Sequence, residues 1–375
     1  MISLTILLAL IRLFMNQNTE RYYQSALSLN LPVILQPDID GFEIRLGGRH
    51  YYFRSTRTPF NRGVNVDLAN NKYCTTRLLD AAGYPVPKGV AFNEEEYKSR
   101  SLDSILEGLH FPLVVKPTVD TRRGDDVLCN INLQEQLHDY LNHHFHHHEF
   151  ITIEEFHANL NSYRVLVFRN KVIGVVLRFA AYVIGDGIHT IDELIELSNT
   201  SRLAESDILK PIERDEECFI CLNELGLTLD DVPKQNQQVR LGYATNTSRG
   251  GTVRSLGRKM SKANEQYFVK AARVLNLELA GFDVLCRDIY EPFESSKGVI
   301  IEVNHSPSIR IHEEFSDDKP ICVTKTIVKS LIYRHPIAYL SIHLKHRTAK
   351  MVLRASLVML ILVPLTMFAS KHILY

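Results

Sequence analysis

Short apolar segments, spaced along the chain and separated by polar stretches, constrain its fold more than any other feature. They read "HFPLVVKP", "EFITIEEF", "YRVLVFRNKVIGVVLRF", "LAGFDVLCRDIY" and "KGVIIEVN". The third holds two apolar runs around "FRNKV", a pattern typical of a hairpin. Helical spacing occupies residues 261–276 and 321–333. Strands that form hairpins and share the chain with separate helices predict a mixed α+β body, not a regular doubly wound sheet.

The first part of the chain predicts a small α/β lead-in. The stretch "TERYYQSALSLN" has helical spacing, and "FEIRLGGRHYYFRS" holds two strand-like runs around Gly47 and Gly48. The following "DLANNKYCTTRLLDAAGYPVPKG" predicts an Asn-capped helix that ends at Gly83. We therefore expect three parts, in chain order an N-terminal helix with the lead-in at 1–70, one functional domain at 71–335, and a basic segment with an apolar helix at 336–375.

Both ends of the chain are apolar. The start, "MISLTILLALIRLFM", lacks the basic region of a signal peptide, so a docked or interfacial helix is the better interpretation. Residues 351–370 are long enough to cover a hydrocarbon core of about 30 Å, which predicts a membrane-anchoring helix. An amphipathic surface helix and an oligomer contact are the alternatives. Basic residues on its N-terminal side would place the body in the cytoplasm, namely Lys345, Arg347, Lys350 and Arg354.

Composition and missing signatures exclude several classes of function. Lys plus Arg and Asp plus Glu number 43 each, so net charge does not favour nucleic acid. Six scattered cysteines fit a reducing compartment better than a disulfide scaffold. The pair Cys218 and Cys221 and the segment "NHHFHHHEF" could bind metal, but ordinary helix thiols and a solvated turn are simpler interpretations. P-loop, nucleophile-elbow and zincin signatures are absent from the sequence.

The strand in "GVIIEVNHSPSIRIH" carries polar side chains that its apolar neighbours do not explain. Alternation places Val299, Ile301 and Val303 on one face, and Glu302 and Asn304 on the other. A carboxylate on such a strand must be hydrogen-bonded, paired with an opposite charge or bound to a cation. The strand therefore predicts a binding partner on its polar face.

Asp283 in "LAGFDVLC" would reach the same patch if its strand were the neighbour of that one. Three oxygen ligands would then converge, which is how Mg²⁺ is held in phosphoryl-transfer sites. A carboxylate cluster neutralised by Lys and Arg is the alternative.

Charged residues at other strand ends predict contacts with a nucleotide. Lys116 ends an apolar strand and could meet a phosphate as a point charge. Glu154 and Glu155 end another strand and could accept hydrogen bonds from adenine or ribose, and Arg164 opens the next one. A snorkelling lysine and edge charges that prevent aggregation explain the same residues without a ligand.

Taken in order, these segments resemble the ATP-grasp ligases, and within them the ATP-grasp domain of cyanophycin synthetase and similar amino-acid ligases. The resemblance covers roughly residues 65–330. It rests on "NNKYCTTRLLDAAGYPVPKG", "FPLVVKP", "ITIEEF", "SYRVLVFRNKVIGVVLR", "VIGDGIHTIDELIEL", "ATNTSRGGTV", "LAGFDVLCRDI" and "IIEVNHSPSIRIH".

The resemblance implies two α+β subdomains that grip ATP, with a pair of Mg²⁺ ions as cofactor. In such ligases a substrate carboxylate attacks the γ-phosphate, and an amine then displaces phosphate from the acyl phosphate. The residues that it implies are Lys72, Lys116, Glu154, Glu155 and Arg164 for ATP, Asp283, Glu302 and Asn304 for magnesium, and Arg178, Arg310 and His312 near the acyl phosphate.

We therefore expect a Mg·ATP-dependent carboxylate–amine ligase of the cytoplasm that acts on an amino acid or short peptide. Membrane association through the C-terminal segment and a homo-oligomer are consistent with this expectation, and nucleic acid is not an expected partner. An ATP-grasp kinase and a degenerate, membrane-tethered ATP-binding module are the rivals. The loop "DTRRGDDV" has fewer glycines than is usual in the family, and Ser308 stands where glycine is usual. We do not expect polymerisation of cyanophycin, because the sequence lacks a Mur-ligase-like half.

Overall fold

A computed structural model describes residues 15–119, 126–315, 321–344, 351–352 and 354–364. The chain forms two compact units. One joins the described residues up to Arg57 with those from Thr324 onward, and the other runs from Thr58 to Val323.

The two units contain strands and short helices in alternation. The strands are β1 Val33–Gln36, β2 Gly41–Leu46, β3 Arg49–Arg54, β4 Gly89–Asn93, β5 Leu113–Pro117, β6 Leu128–Ile131, β7 Phe150–Glu155, β8 Asn161–Phe168, β9 Lys171–Phe179, β10 Tyr182–Ile184, β11 Gln238–Arg240, β12 Thr252–Ser255, β13 Leu279–Cys286 and β14 Val299–Asn304. The α-helices between residues 15 and 344 include α1 Gln17–Ser28, α2 Gly63–Asn70, α3 Lys72–Ala81, α4 Glu94–Ser99, α5 Leu102–Ile105, α6 Gln134–His144, α7 Ile191–Glu205, α8 Glu216–Leu225, α9 Lys262–Val274, α10 Arg310–Glu313, α11 Val323–Arg334 and α12 Pro336–His343.

The unit built from both ends of the chain contains the predicted lead-in. Strands β1, β2 and β3 form an antiparallel sheet in that order. The hairpin predicted between β2 and β3 is confirmed, since Gly47 and Gly48 take the positive φ angles of 62° and 71° that a tight two-residue turn requires. The Ser25 and Thr324 hydroxyls are 2.7 Å apart, and Tyr51 Oη lies 2.6 Å from His335 Nε2.

These contacts attach α11 to helix α1, and the junction between α11 and α12 to strand β3. The division between the two compact units falls at residues 57/58 and 323/324, and the functional boundaries expected at 70/71 and 335/336 stay a prediction. Local patterns do not report hydrogen bonds between residues about 300 positions apart, so the discontinuous unit was not expected from the sequence.

The larger unit contains a five-stranded sheet in the order β12-β9-β8-β13-β14, with every pair antiparallel. One face of this sheet is apolar and packs against α9. Its side chains join Phe268 and Ala272 of the helix to Val165, Phe282 and Val303 of the strands in one buried cluster. The opposite face carries the charged residues.

A four-stranded antiparallel sheet, in the order β4-β7-β5-β6, lies in the same unit. Val115, Ile151 and Ile153 on one of its faces pack with Leu137 and Leu141 of α6. A small pair, β10 with β11, packs with α7 and α8 in a third apolar cluster. Antiparallel sheets that are each covered by helices confirm the predicted α+β class.

The alternation expected along β14 is wrong in detail. Ile300 and Val303, not Val299, Ile301 and Val303 together, join the apolar cluster. The register explains the difference: Asp283 pairs with Glu302 and Val284 pairs with Ile300, so Ile301 is an extra residue in the strand. An unpaired residue of this kind shifts every later side chain to the other face.

Within the described parts of the chain, no helix combines the length and apolar character needed to cross a membrane. The predicted anchor at 351–370 includes residue 353 and residues 365–370, which lie outside the described residues. Of the remainder, residues 354–364 are helical and mostly exposed. The predicted N-terminal apolar helix falls on residues 1–14, also outside the description.

Candidate functional site

The polar face of the four-stranded sheet holds a buried ion pair. Lys116 on β5 donates from Nζ to Glu154 Oε2 on β7 at 2.6 Å, and the two side chains are only 10% and 7% exposed. Gly89 on the adjacent β4 leaves room for this pair, because a Cβ there would lie 2.7 Å from Glu154 Cγ. The predicted phosphate-covering loop after Lys116 includes residues 120–125, which lie outside the described residues.

Helix α3 places a second lysine beside this pair. Asn71 caps the helix by accepting from the Cys74 backbone N–H at 3.0 Å, and the Lys72 backbone N–H donates to Thr118 O just beyond β5 at 3.3 Å. Burial lowers the pKa of Lys72, as does the Lys116 charge. Carboxylates of both sheets act in the opposite direction, namely Glu302, Glu154 and Asp283. The half-buried Lys72 thus lies within electrostatic reach of charges on both sheets, Lys116 and Glu154 on the four-stranded sheet and Glu302 and Asp283 on the five-stranded one.

Asp283 on β13 lies between two arginines on the polar face of the five-stranded sheet. Asp283 pairs in register with Arg164 of β8. The Arg164 guanidinium donates to the Asp283 carboxylate from Nε and, at 2.8 Å, from Nη2. Arg178 of β9 approaches Asp283 Oδ1 at 2.9 Å. Burial alone would raise the pKa of Asp283, but the two arginines outweigh burial and lower the pKa. The carboxylate is therefore ionised and compensated by the chain itself.

Glu302 and Asn304 lie on β14 beside Asp283 and have far fewer contacts. Asp283 pairs with Glu302, and Gly281 pairs with Asn304. Among the described residues, no hydrogen bond or ion pair engages the Glu302 carboxylate, although its charge acts on Lys72 and Arg164. The Asn304 Nδ2 atom is buried with no hydrogen-bond partner in the same part of the chain. A buried donor without a partner costs free energy until a ligand supplies the acceptor.

The oxygen atoms of Glu302, Asn304 and Asp283 decide how well a divalent cation fits this face. Glu302 and the Asn304 amide oxygen are hard oxygen ligands of the kind that Mg²⁺ takes, and neither oxygen is occupied by a described protein donor. Both oxygens of Asp283 already accept from arginines. The residues present therefore fit Mg²⁺ through Glu302 and Asn304, whereas Asp283 is the counter-ion of Arg164 and Arg178.

His312 lies on the same side of this sheet and is fully buried. Neither of its ring nitrogens has a hydrogen-bond partner among the described residues, and a Cβ on Gly174 of β9 would lie 2.6 Å from its Nδ1. Burial, reinforced by Arg164 and Arg178, lowers the pKa of His312 to about 3. The imidazole is consequently neutral at physiological pH and has free nitrogens to donate or accept a hydrogen bond.

Two of the predicted site residues have their contacts elsewhere. Arg310 of α10 binds Asp207 through Nη2 at 2.5 Å and Glu314 through Nε at 2.6 Å. The Glu155 carboxylate accepts from the backbone N–H of His110 at 3.2 Å and lies 2.9 Å from its ring Nδ1. Adjacent residues of a strand point to opposite faces, so Glu155 does not join Glu154 at Lys116.

The sequence did not reveal the groups that hold the predicted arginines. Asn246 and the Thr245 carbonyl accept from Arg178, and Asp207 and Glu314 accept from Arg310. Asn246 belongs to the segment "ATNTSRGGTV", which carried part of the resemblance, but no local pattern indicated its partner.

Two antiparallel sheets whose charged faces act on each other define the class of protein: the chain has the ATP-grasp fold. The bifunctional glutathione synthetase of Pasteurella multocida is a structural neighbour with a TM-score of 0.58 and 23% identity, over 85% of this chain and 44% of that one. This neighbour supports the fold.

Sequence relatives indicate which ATP-grasp proteins the chain resembles. It is 30% identical over 296 residues to cyanophycin synthetase of Trichormus variabilis, which covers 77% of this chain and 32% of that protein. It is 28% identical over 304 residues to the glutathione biosynthesis bifunctional protein GshAB of Listeria innocua, which covers 80% of this chain and 39% of that protein. No protein-family model matches the chain. The chain resembles ATP-grasp ligases such as cyanophycin synthetase and spans about a third of the length of these curated relatives.

Proposed function

We propose that this protein is a Mg·ATP-dependent carboxylate–amine ligase that forms an amide or peptide bond on an amino acid or short peptide. One observation carries the proposal: the half-buried Lys72 lies within electrostatic reach of Lys116 on one sheet and of Glu302 on the other. Lysines that bind phosphate and oxygen ligands that bind a cation together complement ATP with its metal. The similarity to cyanophycin synthetase and to a glutathione biosynthesis protein supports the ligase class.

The proposed reaction has two steps. A substrate carboxylate oxygen attacks the γ-phosphorus of ATP, the bond from that phosphorus to the bridging oxygen breaks, and ADP leaves. An amine nitrogen then attacks the acyl carbon, phosphate departs, and the nitrogen releases a proton. Lys72 and Lys116 stabilise the charge on the transferred group, so positioning and electrostatics carry the catalysis. Mg²⁺, proposed as a pair of ions held by Glu302 and Asn304, would neutralise phosphate charge when bound.

Three further residues complete the proposal at the acyl end. Arg178 and the neutral His312 lie on the polar face beside Asp283 and would bind the acyl phosphate. Arg310 would exchange its contact with the exposed Asp207 for a substrate anion. The adenine contact of Glu155 stays a prediction, and Asp283 acts in this proposal by orienting Arg164 and Arg178.

The test is ATP turnover with candidate acceptors. The full chain is incubated with Mg·ATP and pools of amino acids and dipeptides, phosphate release is followed, and products are identified by mass. We expect acceptor-dependent phosphate release together with a new amide, and a loss of at least about 100-fold in Glu302→Gln because a charged ligand becomes neutral. Glu135→Gln, a matched change at an exposed helix position, should keep the wild-type rate.

Each other outcome identifies a rival. A phosphorylated acceptor that accumulates without amide would show a kinase. Nucleotide binding with no turnover in any pool would contradict the ligase and favour a binding module. Equal rates in Glu302→Gln and Glu135→Gln would remove Glu302 from the site.

We also propose that the ligase acts in the cytoplasm, as a homo-oligomer, and touches a membrane through residues 351–370. Exposed apolar side chains in the described part of this segment support the last point, among them Met351, Val352, Leu360 and Ile361. Vesicle co-sedimentation of the full chain, with and without these residues, tests the contact, and light scattering tests the oligomer.

A further inference from the structure

Asp126 and two histidines of the "NHHFHHHEF" segment form a compact cluster outside the ATP site. One ligand atom from each of Asp126, His144 and His148 lies within 4.8 Å of the other two. His148 Nε2 and Asp126 Oδ2 are already 2.8 Å apart. The cluster thus has three ligands of the types that hold divalent transition metals, two imidazoles and a carboxylate.

The local backbone conformation places His144 and His148 on the same face of a helical turn. His144 is the last residue of α6, and the backbone N–H of His148 donates to His144 O at 3.0 Å, which continues the helical spacing by one turn. The two rings are 6.2 Å apart and inclined by 26°. Side chains four residues apart on a helix meet on the same face, the arrangement by which paired histidines chelate a metal.

Asp126 is held in place independently of the histidines. Tyr140 of α6 donates from its hydroxyl to the Asp126 backbone carbonyl, and the Tyr140 ring stacks on His144 at 4.0 Å. Asp126 takes a left-handed backbone conformation with φ of 58°, which aspartate tolerates better than most residues. Tyr140 therefore holds the Asp126 backbone and packs on one imidazole, while the 2.8 Å contact between His148 and the Asp126 carboxylate places the third ligand.

The distances and the exposure suit an ion with a water ligand. Ligand atoms on a tetrahedral Zn²⁺ with bonds of about 2.0–2.2 Å lie roughly 3.4 Å apart, so small side-chain rotations convert the cluster into a site. His148 is 21% exposed and Asp126 is 42% exposed, which gives solvent access to the fourth position.

We propose that Asp126, His144 and His148 bind a divalent transition metal of the Zn²⁺ class, separately from the Mg·ATP site. The nitrogen ligands select against Mg²⁺, which prefers oxygen. The ion would join the end of α6 to Asp126, two residues before β6, in place of the His148–Asp126 hydrogen bond.

The test is Co²⁺ titration of the full chain in excess Mg²⁺, followed by visible absorption and then by displacement with Zn²⁺. We expect one Co²⁺ per chain with no thiolate charge-transfer band, and displacement by Zn²⁺. His144→Ala/His148→Ala should lower the affinity more than about 100-fold, beyond the loss typical of removing a supporting group. Asp126→Asn should also weaken binding, and asparagine tolerates the left-handed backbone.

His143 and His147 provide a matched control. They are exposed, four residues apart on the same segment, and their rings lie 6.1 Å apart. Among the described residues, no further ligand completes a group of three around them. His143→Ala/His147→Ala should keep the wild-type affinity.

The proposal is overturned if this variant loses Co²⁺ while His144→Ala/His148→Ala keeps it, if Asp126→Asn binds as wild type, or if the bound ion shows thiolate absorption. Circular dichroism of each variant separates loss of a ligand from loss of the fold.

Discussion

At the residue scale, the site is defined by which charges are compensated and which are not. Asp283 lies between two arginines, whereas Glu302 has no hydrogen bond or ion pair in the described part of the chain. His312 is buried beside the same arginines, and its nitrogens have no hydrogen-bond partner among the described residues. Uncompensated polar atoms next to compensated ones are typical of a surface that awaits a ligand. These contrasts, more than the residue types, distinguish the ligand-binding positions from structural ones.

His312 should make stability depend on pH. Its folded-state pKa of about 3 lies below the ordinary value of 6.5. Between these values the unfolded chain binds the extra proton, so the free energy of unfolding falls as pH drops from 6.5 towards 3, by at most about 1.4 kcal/mol per pH unit. His312→Leu should flatten this slope, as measured by urea unfolding at several pH values.

The matched control for this prediction is His110→Leu, since the His110 side chain is 79% exposed. An unchanged slope in His312→Leu, or an equal flattening in both variants, would contradict the assignment of the buried proton site. Above pH 6.5 His312→Leu should not be less stable through proton linkage, because His312 is neutral in both states there.

At the element scale, strand alternation and helix caps present the functional side chains. Alternation places Lys116 and Glu154 on the polar face of their sheet, while Val115 and Ile153 enter the core. The extra residue Ile301 in β14 separates the apolar Ile300 from the polar Glu302. Element boundaries therefore determine which side chains reach the site.

The contribution of the Asn71 cap to the free energy of unfolding can be measured. The cap matters for the site because Lys72 is the first residue of α3. Asn71→Ala removes the acceptor for the Cys74 N–H and should lower the free energy of unfolding by about 1 kcal/mol. Asn71→Asp keeps an acceptor and should stay within a few tenths of a kcal/mol of the wild type. Thermal unfolding compares the two, and equal losses would show that the cap hydrogen bond is not the cause.

At the scale of the whole molecule, the ends of the chain meet in one compact unit while the ATP-grasp residues lie in the other. The first unit contains α1, the three-stranded sheet and the C-terminal helices, and the second contains both larger sheets. The contacts that close the first unit join residues almost 300 positions apart, as in the pair Ser25 and Thr324. Closing so long a loop costs chain entropy, which those contacts must offset.

Coupling between Ser25 and Thr324 should therefore be measurable. Ser25→Ala and Thr324→Val each remove one hydroxyl of a buried hydrogen bond, and a double-mutant cycle should return a coupling of about 1 kcal/mol in the free energy of unfolding. The cycle Ser25→Ala with Ser341→Ala serves as control, because the hydrogen bond of the Ser341 hydroxyl within the described residues is local, to Ala338 O. Additive effects in the first cycle would show that this contact does not stabilise the unit.

Sequence patterns were sufficient for the longer strands, the hairpins and the Asn71 cap, whose causes are local. Hairpins at Gly47 and at "FRNKV", the Asn71 cap, and most strands follow from turn residues, alternation and capping within a few positions. The short strands β1, β4, β6, β10, β11 and β12 were not predicted, because three to five residues carry too little alternation to stand out. The resemblance of the ordered motifs to the ATP-grasp ligases predicted the fold and the candidate site residues.

The sequence by itself thus determined the α+β class, the main strands and the residue types from which a nucleotide site could be built. Only the tertiary structure decided which of them meet: Asp283 with Arg164 and Arg178, Arg310 with Asp207, and Asp126 with His148. The physical reason is that alternation and capping act over a few residues. Charge compensation depends instead on which distant segments the packed core brings within a few ångströms of each other.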